Sequence, residues 1–254
     1  MAEWVVLGSG TGLPTTERNS PGYLLLAGDE RVLFDAGSGT LRRLAQEGVA
    51  PRAVSRVFLT HFHTDHTLDV MALCFALKSP GEDRGGELPI HAPEGFAAML
   101  AQMQALYGHW VVPDKTRVAP QVVRPGEAVE LPWGRVRAAR TAHTPEALCY
   151  RIELRGGGTL TWSGDTGYSE DVARFAQGSD VFVLECAVPP GRSVPYHCNP
   201  EEAGRMARLS GVPRLVLTHI YPEVEPYDLE GFVRREYAGE VVRARDGMRV
   251  RVGG

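Results

Sequence analysis

Three histidines and one aspartate lie within six residues, in the run His61-Phe62-His63-Thr64-Asp65-His66. The run follows Arg56-Val57-Phe58-Leu59, whose apolar residues predict a buried strand. In an extended chain, residues two apart project to the same side, so His61 and His63 can face one cation together. Imidazole nitrogens and carboxylate oxygens are the ligands that zinc and similar divalent ions bind in proteins. The run therefore predicts a metal site at the end of a strand.

A second cation position is expected close to the first. A helical pattern begins near Thr67, and if the chain turns into it, Asp65 and His66 swing round to face a neighbouring point. Three more polar residues, His143, Asp165 and His219, each follow a predicted strand. Seven ligands exceed the needs of one tetrahedral zinc, but they suit two ions that share a carboxylate and a water. The natural division places His61, His63 and His143 on one ion and Asp65, His66 and His219 on the other, with Asp165 as the bridge.

The elements that must position these residues can be predicted from the apolar patterns. A hairpin is expected over residues 23–34, and helices are expected over 68–77, 96–107, 170–177 and 229–237. Asn199-Pro200-Glu201-Glu202 has the residue types of a helix start, and Asp246-Gly247 predicts the turn of a final hairpin. The glycine-rich run at 8–14 lacks the GxGxxG spacing of a dinucleotide site, so we expect a tight loop beside the metal site.

Both halves of the chain place strands first and helices between them, and every polar cluster follows a strand. No linker or change of composition divides the chain. We therefore predict a mixed α/β (α+β) fold, a four-layer αββα sandwich formed by one domain over residues 1–254, with the site along one sheet edge.

Composition limits the classes of function. The chain has 254 residues, 43% of them apolar and 23% charged, which is typical of a globular protein. No apolar run reaches the ~20 residues of a membrane-spanning helix, and a net charge of -4 argues against non-specific nucleic-acid binding. The four cysteines show no CxxC spacing and the start shows no secretion signal, so we expect a reduced, cytoplasmic setting and no membrane partner.

Taken in order along the chain, these motifs resemble the metallo-β-lactamase superfamily. The resemblance covers nearly the whole chain and depends on His61-x-His63-x-Asp65-His66, His143, Ser163-Gly164-Asp165-Thr166 and Thr218-His219. It implies the αββα fold and a two-metal, usually zinc, centre. It also implies that Asp35, in Phe34-Asp35-Ala36-Gly37, orients a ligand histidine.

Within that superfamily the chain is most similar to the ribonuclease Z-like phosphodiesterases. Pro14-Thr15-Thr16-Glu17-Arg18-Asn19 resembles the Pro-x-Lys-x-Arg-Asn loop of this branch, with Thr16 in place of Lys, and His197 resembles one of its histidines. Its His-Glu-Ala-Thr motif appears as Leu184-Glu185-Cys186-Ala187, so Glu185 matches and the histidine does not. The long arm that grips transfer RNA is missing, and only short loops such as 79–86 could replace it. We therefore do not expect transfer RNA as the substrate.

The predicted function is a metal-dependent hydrolase with two zinc ions, or manganese or iron in their place, acting on a small-molecule or short single-stranded phosphodiester. In this hypothesis a hydroxide that bridges the metals attacks phosphorus, and Asp65 orients this nucleophile and accepts its proton. His197, positioned by Glu185, donates a proton to the leaving group. Two alternatives are a hydrolase of carboxylic esters, lactones or thioesters at the same centre, and a mono-iron redox enzyme of the same fold. The helix at 96–107 is a candidate contact for a homodimer.

Overall fold

The computed structural model describes residues 2–253, which form two mixed sheets of seven strands each. The first sheet has the spatial order β14-β1-β2-β3-β4-β5-β6, where the strands are β1 (Ala2–Gly8), β2 (Gly22–Ala27), β3 (Glu30–Ala36), β4 (Arg56–Phe58), β5 (Gly86–Ala92), β6 (Thr116–Val122) and β14 (Arg249–Val252). The second sheet has the order β13-β12-β11-β10-β9-β8-β7, with β7 (Ala128–Leu131), β8 (Gly134–Arg140), β9 (Leu148–Leu154), β10 (Thr159–Trp162), β11 (Val181–Glu185), β12 (Arg214–Thr218) and β13 (Glu240–Arg243).

Six α-helices cover the outer faces of these sheets over the described residues. They are α1 (Thr40–Gln46), α2 (Thr64–Ala76), α3 (Phe96–Tyr107), α4 (Glu170–Phe175), α5 (Pro200–Ser210) and α6 (Leu229–Val233). Two short 3-10 helices, Pro51–Ala53 and Gly108–Val111, complete the first half. None of the helices over residues 2–253 has the length and apolarity needed to cross a bilayer.

Central strands such as β1, β2, β3, β11 and β12 bury both of their faces, which explains their nearly continuous apolar sequences, whereas β8 and β14 expose every second residue. Along β1, Trp4 and Val6 point into the core between the sheets, and Val5 and Leu7 point into a second core beneath α1–α3. A third core lies between the second sheet and α4–α6. The order of layers is helix, sheet, sheet, helix, so the predicted αββα sandwich is confirmed. That residues 1–254 form one domain stays a prediction.

The prediction of a final hairpin with its turn at Asp246-Gly247 is wrong. Strand β13 pairs with β12 in parallel in the second sheet, and β14 pairs with β1 antiparallel in the first. The turn therefore connects the two sheets, and the amide of Gly247 donates to the carbonyl of Val6 at 2.8 Å. A two-residue turn signal is local, so it cannot specify which strands will pair with the segments on either side.

Several helix boundaries also differ from the sequence prediction. Helix α2 begins at Thr64, so Asp65 and His66 lie inside its first turn and not before it. Helix α6 ends at Val233 instead of Tyr237, and α4 ends at Phe175 instead of Gln177. The helix at Pro200 starts as predicted: the Asn199 side chain accepts from the Glu202 amide, and the Glu202 side chain accepts in turn from the Asn199 amide.

Candidate metal centre

The carboxyl ends of parallel strands from both sheets meet at one edge of the sandwich. Strands β3, β4 and β5 run parallel to one another in the first sheet, as do β10, β11 and β12 in the second. Asp35 lies near the carboxyl end of β3, and the loops that follow β4, β10 and β12 carry His61, Asp165 and His219. This is the edge at which α/β sheets most often bind ligands. His143 arrives at the same place from the loop between β8 and β9.

The structure brings together all seven residues that the sequence nominated as ligands. One group consists of His61, His63, His143 and Asp165, and a second consists of Asp65, His66 and His219. Within each group the ligand atoms all lie within 4.8 Å of one another. Asp165 and His219 also form a third group with His197. The six histidine and aspartate residues other than Asp165 fall into the two expected sets, and that these residues bind metal ions is our proposal.

The distances between the ligand atoms fit a metal better than they fit direct hydrogen bonds. Asp165 Oδ2 lies 3.7 Å from His61 Nε2, 3.8 Å from His143 Nε2 and 3.3 Å from His219 Nε2. Two ligands of a tetrahedral zinc, each about 2.1 Å from the ion, are about 3.4 Å apart. Among the described residues, His61 Nε2, His66 Nε2 and Asp165 Oδ1 are buried without a hydrogen-bond partner. Because buried polar atoms are normally satisfied, these converging atoms fit a bound cation.

Hydrogen bonds to the outer nitrogens set the orientation of three of these histidines. His66 Nδ1 lies 2.8 Å from Asp35 Oδ2, and His61 Nδ1 lies 3.0 Å from the hydroxyl of Thr60. Asp35 also accepts from the amide and the hydroxyl of Thr60, at 2.8 and 2.9 Å. His143 Nδ1 lies 2.9 Å from the carbonyl of Tyr196. Each of these rings therefore turns its Nε2 towards the centre, which is the arrangement that metal-binding histidines need.

Two residues in this arrangement were missed by the sequence analysis. Thr60 stands directly before His61, and its position next to the ligand run was the available signal. Tyr196 contributes only its backbone carbonyl, for which the sequence gives no signal. Asp35, in contrast, takes the role that the resemblance implied, and it does so with a left-handed backbone (φ +53°).

The electrostatics of the centre favour a cation. Burial lowers the pKa of His61 well below its usual range and lowers the pKa of His219 to about 4. Burial opposes ionisation of Asp165, but His219, His66 and His61 hold its pKa well below the usual range. For His66, burial is outweighed by Asp165 and Asp35, which raise its pKa well above the usual range. The two carboxylates thus create a field that attracts positive charge.

His197 and Glu185 form a pair at the margin of the centre. His197 Nδ1 lies 2.7 Å from Glu185 Oε1, and Glu185 also accepts from the amides of Thr166 and Cys198. The sequence hypothesis used Glu185 to position His197, and the structure buries Glu185 completely. Burial raises the pKa of Glu185 to about 7. Burial opposes the charged form of His197, but Glu185 more than offsets this and raises the pKa of His197 to about 9.

Close backbone contact brings the loop after β3 against the ligand run. A side chain at Gly37 would meet the carbonyl oxygen of Asp65 at 1.8 Å, so only glycine allows this approach. The glycine-rich loop lies on the same side, because a side chain at Gly12 would come 3.6 Å from Asp65. The expectation of a tight loop beside the site agrees with this placement.

Comparison with known proteins identifies the superfamily. Residues 30–220 match the sequence family described as the Beta-lactamase superfamily domain. The chain is 31% identical to ribonuclease Z of Mycolicibacterium paratuberculosis over an alignment of 277 positions, gaps included, that covers 99% of each protein. Among solved structures, the metallo-β-lactamase fold protein YhfI from Bacillus subtilis matches with a TM-score of 0.84 over 98% of each chain, at 26% identity. The short form of human tRNase Z matches with a TM-score of 0.78 at 18% identity, over 99% of this chain and 100% of that one, a likeness of fold alone.

The family match covers most of the chain, the curated relative aligns from end to end, and the seven nominated residues converge at the sheet edge. The chain therefore belongs to the beta-lactamase superfamily, as a ribonuclease Z-like hydrolase with the metallo-β-lactamase fold.

Proposed function

We propose that this chain is a phosphodiesterase that works with two zinc ions. The observation that carries the proposal is the pair of ligand groups at one sheet edge, with Asp165 within reach of both. Relatives of this chain are named ribonuclease Z, and a ribonuclease cleaves phosphodiester bonds. Nitrogen-rich ligand sets with carboxylates suit zinc, and manganese or iron are the alternatives.

The first position would be held by His61, His63 and His143, and the second by Asp65, His66 and His219. When bound, the two ions would supply an activated water near neutral pH and would stabilise charge on the substrate oxygens. Asp65 Oδ2 lies 3.8 Å from His66 Nε2, and the side chain of Asp65 is partly exposed. It can therefore orient the attacking group and accept its proton.

His197 is the candidate donor of a proton to the leaving group. Glu185 engages Nδ1 of His197, which leaves Nε2 free to face the substrate. An alkoxide leaving group needs this proton, because it is a poor leaving group without it. Glu185 is a positioning residue, since it is fully buried and acts through the imidazole.

The surroundings of the centre support a small or short single-stranded substrate. The segment between α2 and β5, where the sequence offered room for an RNA-gripping arm, comprises residues 77–85 and carries both signs of charge. The net charge of -4 also disfavours a long polyanion. We therefore propose smaller phosphodiesters, and not transfer RNA, as the substrate.

Two further features of the proposal concern the setting of the protein. All four cysteines are free and buried, which supports a reducing, cytoplasmic location. Helix α3 exposes Leu106 at 77% and Tyr107 at 48%, and this helix stays our candidate for a homodimer contact.

The test is metal content together with hydrolysis of two model substrates. Protein purified without added metal should contain zinc, and it should hydrolyse bis-p-nitrophenyl phosphate faster than p-nitrophenyl acetate. We expect His63→Ala and Asp165→Ala each to lower phosphodiester hydrolysis by at least about 100-fold, because loss of an outer residue alone commonly costs 10–100-fold. His109→Ala is the matched control, since His109 is exposed and lies outside all three ligand groups. A preference for the carboxylic ester, or full activity in both ligand variants, would overturn the proposal.

A further inference from the structure

Arg18 belongs to the loop that resembles a motif of the ribonuclease Z-like branch, and its side chain is buried in contacts with the protein itself. The residue is 6% exposed. Its Nε and Nη2 donate to the two carboxylate oxygens of Glu225, at 2.6 and 3.1 Å. Its Nη1 donates to the Ser9 hydroxyl and to the Ala244 carbonyl, both at 2.7 Å. All three guanidinium nitrogens thus donate to groups of the protein itself, which leaves none of them free for a substrate.

Asp246 also binds Ser9, the residue whose hydroxyl accepts from Arg18. Its Oδ1 accepts from the amide of Ser9 at 2.9 Å and from the Ser9 hydroxyl at 2.8 Å. Its Oδ2 accepts from the amide of Asn19 at 2.8 Å. Ser9 is therefore fixed by two charged residues that are distant in sequence, and charge-assisted hydrogen bonds of this kind are among the stronger ones.

The fixed Ser9 lies directly against the backbone that carries His219. The Ser9 carbonyl accepts from the amide of Ile220 at 2.9 Å. His219 itself has a left-handed backbone (φ +57°), a conformation that costs free energy and lasts only when its surroundings impose it. On the strand side, the carbonyl of Ala244 accepts from Arg18, and the amide of Ala244 donates to the Leu217 carbonyl at 2.8 Å. Arg18 is therefore linked through Ala244 to the residue two places before His219.

We propose that Arg18, acting with Asp246 through Ser9, is a positioning residue that holds His219 in its ligating conformation. The network clamps the chain on both sides of His219 and so aims the ring at Asp165. This inference rests on the proposed metal centre, and it concerns the position formed by Asp65, His66 and His219. Among the described residues, no hydrogen bond joins Arg18, Ser9 or Asp246 to the position formed by His61, His63 and His143.

The inference predicts that Arg18 controls the affinity of one metal position and not the other. Metal-free protein is titrated with Co²⁺, and the two binding steps are followed by visible absorption. We expect Arg18→Met to weaken one step by about 10–100-fold, the usual cost of losing a residue that orients a ligand. The weakened step should be the one that His219→Ala weakens, and the other step should be the one that His143→Ala weakens. Arg18→Lys, which keeps the charge but loses the fork, should restore part of the affinity.

Arg151→Met is the matched control. Arg151 is also a largely buried arginine, and it donates to Glu153, to the Phe175 carbonyl and to the Ser179 hydroxyl at 2.9 to 3.2 Å. Its partners lie at the opposite end of the second sheet, before β11. We expect Arg151→Met and Arg18→Met both to lower the melting temperature, but Arg151→Met should leave both Co²⁺ steps unchanged.

A double-mutant cycle separates positioning from general loosening. If Arg18 acts through His219, Arg18→Met should weaken Co²⁺ binding no further once His219 is already alanine. Should Arg18→Met fail to fold, Ser9→Ala removes the shared hydroxyl but keeps the carbonyl, and it should weaken the same step to a smaller extent.

The outcomes distinguish the inference from the proposed function. Wild-type affinity for both Co²⁺ ions in Arg18→Met, or in Ser9→Ala where only that variant folds, overturns the inference and leaves the metal centre standing. Equal weakening of both steps also overturns it. A wild-type protein that binds no Co²⁺ overturns the proposed function itself.

Discussion

His197 lies at the margin of the proposed metal centre, where the buried carboxylate of Glu185 engages its Nδ1. A residue that donates a proton to a leaving group should matter only where the leaving group needs that proton. We predict that His197→Ala lowers turnover of alkyl phosphodiesters by about 10²–10⁴-fold, the usual contribution of a general acid, and lowers turnover of p-nitrophenyl esters far less. The measurement is the ratio of turnover on the two substrate types.

Glu185→Gln tests the same pair through its other member. The amide keeps the shape of the carboxylate but not its charge. Glu185→Gln should therefore also lower the turnover of alkyl phosphodiesters, but by less than His197→Ala does. Equal losses on alkyl and p-nitrophenyl esters in His197→Ala would remove His197 from the role of acid, and metal content would then show whether the variant had lost its ions.

At the level of single residues, the sequence predicted the proposed ligands better than the residues that orient them. Ligands come from a few residue types, and a position after a predicted strand added weight to His143, Asp165 and His219, so these three could be proposed. The supports have no such restriction: Tyr196 acts through a backbone carbonyl, and Arg18 acts through Ser9. Which partners a buried arginine finds depends on the packing of distant segments, which local spacing does not encode.

Individual strands were predicted better than their partners. Residues 56–58 form a strand within the run 56–59 that the sequence predicted, because a short apolar run specifies a strand locally. The strands on either side of Asp246 were placed in one hairpin, although they belong to different sheets. The carboxylate of Asp246 binds Ser9 and Asn19, and these long-range hydrogen bonds help to hold the turn as a connection between sheets. Pairing of this kind is a property of the assembled fold.

Strand β5 contains a buried histidine that should make folding sensitive to acid. His91 is 7% exposed and stacks on Phe58 of β4 at 4.5 Å, and among the described residues its Nε2 has no hydrogen-bond partner. Burial, with a smaller effect of Arg56, lowers the pKa of His91 to about 4. The unfolded chain then binds a proton at His91 near pH 6.5, and the folded chain does not. The contribution of His91 to the free energy of unfolding is therefore fully present above pH 6.5 and is lost as the pH falls towards 4.

We predict that His91→Phe removes this part of the acid sensitivity. Phenylalanine keeps the stacking on Phe58 and cannot be protonated. At pH 5 the wild type should have lost about 2 kcal/mol through His91, and the variant should not show this loss. Urea unfolding of both proteins at pH 8 and pH 5 gives the comparison, in which the values at pH 8 serve as the control. The same decrease in both proteins between the two pH values would contradict the explanation.

For the whole molecule, the cores are separate from the metal centre. The core between the sheets is built on large side chains such as Trp4, Trp162 and Tyr150, and two more cores lie beneath the helices. The proposed ligands lie at one edge, on loops that the strands deliver. A domain of this size buries enough apolar surface to fold without a metal, in contrast to small zinc-dependent domains. Metal binding should therefore add to stability without being required for the fold.

Removal of the metal by a chelator tests this separation. We expect the metal-free protein to keep its far-ultraviolet circular dichroism spectrum and to melt at a lower temperature, and we expect added zinc to restore the melting point. Binding to the folded state alone at 100 times Kd contributes about 2.7 kcal/mol per site, and each kcal/mol shifts the melting temperature of a domain this size by roughly 2–4 °C. Asp165→Asn should respond much less to zinc, because Asp165 lies within reach of both ligand groups. Loss of the spectrum on chelation would show that the ions hold the two sheets together, and an unchanged melting point would show that the folded protein binds no zinc at this edge.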